Sequence, residues 1–320
     1  MSQNEQVSIE PIRKLLRTIS LNRAADVDAL LDELKPVCEL DRQSEQNLFW
    51  SRLGTPNVIG MGLTCSVRLQ AHAYAAGVII TAIGTPGFKT MPKPERDKLF
   101  APANRLLTWA VGVDVTRWLK LQGINLEPGQ VLQADQSDLP NDVLGTLSGE
   151  QRILGEGLFW YACAWILLHE LGHLKFGHTY TEGYPSLEQE KEADRFAAEW
   201  MSESASGSSG NIGVDRLNAL FGIAVALLWL TVFNVYFGQK ESRTHPQGYD
   251  RLSQVLDQVI EWSNEEEHQM VWYFVSTMLF IHMWSAGYDF DESDAIHMQG
   301  DPKDEVNYLI DRISRFERKK

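Results

Sequence analysis

Cysteine is scarce in this chain, with only Cys38, Cys65 and Cys163 in 320 residues. An odd and scattered set excludes a disulfide framework or a CxxC metal ribbon and fits a reducing compartment. Positive charge is short as well. Lys and Arg number 29 against 43 Asp and Glu, a formal charge of −14, which repels phosphate backbones and argues against a nucleic-acid partner. The basic end, Arg315, Arg318, Lys319 and Lys320, is too brief to reverse that and reads as a solvated helix end. The opening MSQNEQVSIEPIRKLLRTIS lacks the apolar core of a secretion signal, so the cytoplasm is the expected location.

A hydrophobic content of 44% and a charged content of 22% are those of a globular protein, long enough for one large domain or two ordinary ones. From Ile9 to Leu53 apolar residues such as Leu15, Leu16, Ile19, Leu30, Leu31 and Leu34 recur at helical spacing, broken by Pro36. From Met61 to Ala75 the pattern alternates, with Met61, Leu63, Cys65, Val67, Leu69, Ala71 and Ala73 on one face. This predicts a half-buried strand, with Val78 to Ala82 as its hairpin partner and as a sheet edge on which a peptide can pair. Ala103 to Leu121 reads as a further helix, and 123–155, rich in Gly, Pro, Asp and Gln, as a loop or linker. The expected fold is α+β and mostly α-helical. It comprises an N-terminal helical region with a small antiparallel β-hairpin or sheet at 61–82 (1–122), a linker (123–155) and a helical core (156–320), or one continuous domain.

The chemistry concentrates in LHELGHLKFGHTYTEGYPSLEQEKEADRFA, residues 168–197. Four residues apart on a helix, His169 and His173 present two imidazoles to one ion, and Glu170 sits beside that ion as a general base. Ser186 and Gln189 form a capping box that starts a second helix at Leu187. Glu190 then lies about 6 Å past the cap, and His173 about 7.5 Å before an expected helix end near His178, so an antiparallel pair of helices brings them level. Glu190 is the candidate third ligand. Asp194, one turn on, is placed to accept the outer ring N–H of a ligating histidine. The apolar stripe of Ala193, Phe196, Ala197, Trp200 and Met201 includes the phase of Glu190 and Asp194, whereas Glu188, Glu192 and Glu199 point elsewhere. His178, five residues past His173, is rotated off the ligand face and reads as a helix-end residue.

HELGH followed by ExxAD resembles the gluzincin zinc peptidases. That resemblance implies one Zn²⁺ held by His169, His173 and Glu190, with Glu170 as base and Asp194 as support. With the later THPQGYDRL, the pattern is most similar to the Lit-type phage-exclusion peptidases. ImmA/IrrE-type repressor-cleaving peptidases and membrane CAAX-type peptidases share parts of it. The likeness covers about residues 156 to 251. It implies an intracellular protein substrate, and for the Lit type a role in phage exclusion through cleavage of a host translation factor. In the resembling families the His-Pro element lies near the active site, which makes His245 a candidate oxyanion donor beside its plain reading as a helix cap. Arg251 is placed to hold a carboxylate or a substrate carbonyl.

Leu158 to Leu168 is apolar on every face but too short to span a bilayer, and reads as a buried core helix. The uncharged run 217–239 is long enough to span one, and 271–288 would complete a membrane hairpin. No Lys/Arg-rich flank marks an inside face, which favours central helices of a core. The expected function is zinc-dependent endopeptidase. The alternatives are a membrane-embedded CAAX-like peptidase and a zinc-binding sensor or scaffold without protease activity.

Overall fold

The computed structural model describes residues 5–41, 49–110, 141–179, 186–205, 212–237, 248–285, 288, 290 and 300–318. The chain is α+β and mostly helical. Its described elements are β1 (Glu5–Val7), α1 (Glu10–Ile19), α2 (Ala24–Leu34), β2 (Val37–Asp41), β3 (Phe49–Arg52), β4 (Val58–Gly62), α3 (Leu63–Ile83), α4 (Lys93–Ala110) and the short α5 (Asn141–Leu144). These are followed by α6 (Gly149–Lys175), α7 (Leu187–Ala205), α8 (Ile212–Phe237), α9 (Gly248–Gln254), α10 (Glu265–Ser285) and α11 (Pro302–Arg318). They divide into two compact units, each built from separate stretches of chain.

The first unit joins Met1–Ser66, Gly157–Asn234 and Gly238–Val271. Its sheet is mixed, in the order β1-β2-β4-β3. β2 and β4 run parallel, and the other pairs are antiparallel. The stretch from Ile9 to Leu53 is therefore not helical throughout: after α2 ends on Lys35 in a left-handed conformation, Val37 enters a strand. Buried side chains of α6, α7 and α8, including Trp165, Leu168, Ala197, Met201, Leu220 and Leu227, form its helical core. The turn before α2 is held to α7 by Arg23, which pairs with Glu203 at 2.8 Å and lies 4.0 Å over the Trp200 ring.

The second unit joins Val67–Glu156, Val235–Phe237 and Trp272–Lys320. Here the expected hairpin at 61–82 is overturned. Only Met61 and Gly62 are extended, and β4 passes without a connecting residue into the helix α3. The misreading has a physical cause. α3 is buried on almost every side, at Leu69, Ala71, His72, Ala73, Ala75, Ala76, Val78 and Ile79 among others. Its partly exposed Ser66, Gln70 and Tyr74 recur every fourth residue, and that sparse helical stripe also satisfies an alternating template. Small residues let α3 lie directly on the start of α6. A Cβ on Gly77 would meet the backbone of Gln151 and Gly155 at 2.8 Å.

Part of the expected linker is helical, since α5 and the first turns of α6 fall within 123–155, and 111–140 lies outside the described residues. A second capping box, Ser148 with Gln151, starts α6 through bonds of 2.9 and 3.2 Å. Of the two apolar runs, residues 217–237 lie in α8 and residues 271–285 in α10. Among the described residues no helix is long and apolar enough to cross a membrane.

Candidate metal centre

The centre lies in the first unit, where α6 and α7 meet. Gly172 allows the close approach: a Cβ there would come 3.1 Å from the Phe196 ring and 3.3 Å from Ala193 Cα. Ser186 and Gln189 cap α7 reciprocally at 2.7 and 3.3 Å, so the helix starts at Leu187 as its sequence predicts. This crossing brings Glu190 opposite the two histidines.

His169 Nε2 lies 3.0 Å from His173 Nε2 and 3.5 Å from Glu190 Oε2, and His173 Nε2 lies 3.6 Å from Glu190 Oε1. All three residues are buried. Two imidazole nitrogens and one carboxylate converge in this way on a space able to hold a metal ion. Ligands about 2.0–2.1 Å from a tetrahedral zinc lie about 3.3 Å from one another, which is the spacing found here. The chemistry of the outer atoms agrees. Asp194 Oδ1 lies 2.8 Å from His169 Nδ1, and an ionised carboxylate only accepts. His169 therefore carries a hydrogen on Nδ1, leaving Nε2 as the nitrogen that faces the cluster.

Arg251, from α9, holds Asp194 with both arms, Nε to Oδ2 at 2.8 Å and one terminal nitrogen to Oδ1 at 2.6 Å. Its other terminal nitrogen is 3.5 Å from Glu190, and its guanidinium lies 5.8 Å over Trp165, which stacks on His169. Burial opposes the charge on Asp194, but Arg251 and His169 outweigh it and hold the carboxyl below its ordinary range. Burial likewise opposes a charge on His169, and Asp194 overrides it and raises that ring's affinity for a proton. For His173, burial, reinforced by His169, outweighs the opposing pull of Glu190 and pushes the ring down to about 3.

Glu170 is half-buried. Burial lifts its carboxyl above the usual glutamate range, against the pull of His169 and of a hydrogen bond from Ser51. Ser51 sits in β3 and is itself buried. Sequence reasoning missed it, because nothing around it in the chain marks a site.

His178 also departs from its expected place. α6 ends at Lys175 rather than near His178, because Gly177 takes a left-handed φ of 65°. The amide of Gly177 bonds to the Leu174 carbonyl at 3.3 Å and that of His178 to the His173 carbonyl at 3.0 Å, the Schellman pattern of a helix end. The turn swings the His178 ring back under the helix, with Nδ1 2.8 Å from His173 Nδ1. Its Nε2 meets Glu192 Oε2 at 2.9 Å, so Glu192 does not point away from the centre. A glycine two residues past the helix-ending Lys175 was the signal in the sequence for this geometry. His245 lies outside the described residues.

Comparisons with known proteins point to peptidases. The family model described as Peptidase U49 matches residues 125–275. This part of the chain is similar to a peptidase family. A stretch of 97 residues is 34% identical to a protein of Escherichia coli (strain K12) named "Cell death peptidase", covering 30% of this chain and 31% of that one. The chain thus spans under a third of that relative's length. No solved structure matches.

Proposed function

We propose that the protein is a zinc-dependent endopeptidase that hydrolyses a peptide bond of an intracellular protein. The observation that carries the reading is the buried meeting of His169 Nε2, His173 Nε2 and a Glu190 carboxylate at 3.0–3.6 Å. These residues would hold the ion, which supplies Lewis-acid polarisation of the scissile carbonyl and makes a water molecule acidic enough to attack near neutral pH. The remaining work belongs to the chain. Glu170, whose affinity for protons burial raises, takes the proton of the attacking water and returns it to the leaving amine. Ser51 aims that carboxylate. Asp194, held by Arg251, fixes the His169 ring.

With the hairpin at 61–82 gone, the strand edge for a substrate passes to β3. It borders the four-stranded sheet and carries Ser51, so a peptide paired along it runs past the Glu170 carboxylate. The Lit-type likeness of HELGH…EADRFA supports a biological setting in phage defence.

The test compares protein fragments in cells expressing wild type and Glu170→Gln. Fragments unique to wild type, with equal zinc in both purified proteins, support the reading. Zinc in both proteins with identical fragment patterns would replace it with a zinc-binding sensor or scaffold.

A further inference from the structure

His173 and His169 are held from behind in different ways, and the difference reaches the surface. Behind His169 stands the buried Asp194. Behind His173 stands a second imidazole, His178, itself buried, and behind that the exposed Glu192.

We infer that His178 and Glu192 form a positioning relay that fixes His173 in the tautomer with its hydrogen on Nδ1. The direction of the chain follows from its outer end. Glu192, as a carboxylate, only accepts, so a neutral His178 carries its hydrogen on Nε2 and offers the Nδ1 lone pair inward. His173 Nδ1, 2.8 Å away, must then be the donor. Its Nε2 consequently presents a lone pair toward His169 and Glu190. The reverse order would set a bare His178 nitrogen against the Glu192 carboxylate, or require His178 to carry a charge.

The backbone reinforces the assignment. The amide of His178 donates to the carbonyl of His173, so ring and main chain of one residue grip ring and main chain of the other. Among the described residues the hydrogen-bond partners of the His178 ring are His173 and Glu192, so it acts on the ion site through His173. The metal-binding part of this inference rests on the function proposed above, but the tautomer part does not.

The test has two arms on the full-length chain. In the metal-free protein at mildly alkaline pH, long-range proton–nitrogen correlation of ¹⁵N-labelled histidine reports which ring nitrogen of His173 is protonated, assigned by loss of its signals in His173→Gln. Hydrogen on Nδ1 is expected, and hydrogen on Nε2 overturns the relay. In the second arm zinc affinity is measured by chelator competition. His178→Leu should weaken zinc about 10–100-fold, the range for loss of a ligand's outer partner. His178→Asn, whose side-chain oxygen can accept from His173 Nδ1, should restore most of it. Glu192→Ala, at the exposed end, is expected to fold as wild type and to lose less, since water can accept there. Unchanged affinity in His178→Leu overturns the positioning role. Hydrogen on His173 Nδ1 with no zinc bound by any form supports the relay and defeats the metallopeptidase reading.

Discussion

Glu170 follows the first histidine of the centre by one residue, yet its carboxylate is engaged by Ser51 of the sheet. Two substitutions separate their roles. Glu170→Gln should lower kcat/KM by about 10²–10⁴-fold, the span of a lost general base, with one zinc per chain retained by elemental analysis. Ser51→Ala removes a bond that favours the ionised carboxylate, so Glu170 takes up its proton at higher pH. The acid side of the kcat/KM profile should therefore move to higher pH with zinc content unchanged, and a profile identical to wild type would remove Ser51 from the machinery. At this scale the sequence was partly readable. His169, His173, Glu190 and Asp194 come together as their helical spacing predicts. The places of Ser51, His178 and Glu192 were not legible, since their contacts arise from tertiary placement and from a glycine turn.

At the scale of elements, the centre depends on one crossing and one helix end. Gly172→Leu puts a side chain where even a Cβ stands 3.1 Å from Phe196. It should push α7 off α6, withdraw Glu190 and weaken zinc at least about tenfold, the effect expected when a ligand loses its geometry. Gly177→Ala forces a Cβ into the left-handed region, at about 1 kcal/mol. Thermal unfolding should record that loss. The strand expected at 61–82 shows where periodicity fails. In α3 nearly every face is buried, so polar residues become too few to distinguish a period of 3.6 from a period of 2. α7 was legible for the opposite reason: one apolar stripe, an acidic outer face and a capping box all agreed on its start and phase.

For the whole molecule, stability should depend on pH through the second unit. There His72 and His282 are buried and stacked, 3.2 Å apart between ring nitrogens. Burial drives His282 down to about 3 and His72 well below its usual 6.5, the latter also repelled by His282. In the unfolded chain both rings take up protons near the ordinary value of 6.5. Acidification therefore favours unfolding from there down to the folded value, by up to about 1.4 kcal/mol per ring and pH unit. The melting temperature should fall steeply between neutral and mildly acidic pH. The double variant His72→Phe with His282→Leu should flatten that fall, whatever its effect at neutral pH.

The grip of Arg251 on Asp194 has a consequence for biosynthesis. A polypeptide extended only as far as α7 already holds both rings and the Glu190 carboxylate, but lacks the guanidinium that neutralises Asp194. Burying Asp194 against His169 alone, without the guanidinium, costs on the order of 3–5 kcal/mol, which disfavours the crossing of the two helices. Synthesis must reach α9 before the candidate centre can form, and chains released early through premature stop codons upstream of Arg251 should bind no zinc.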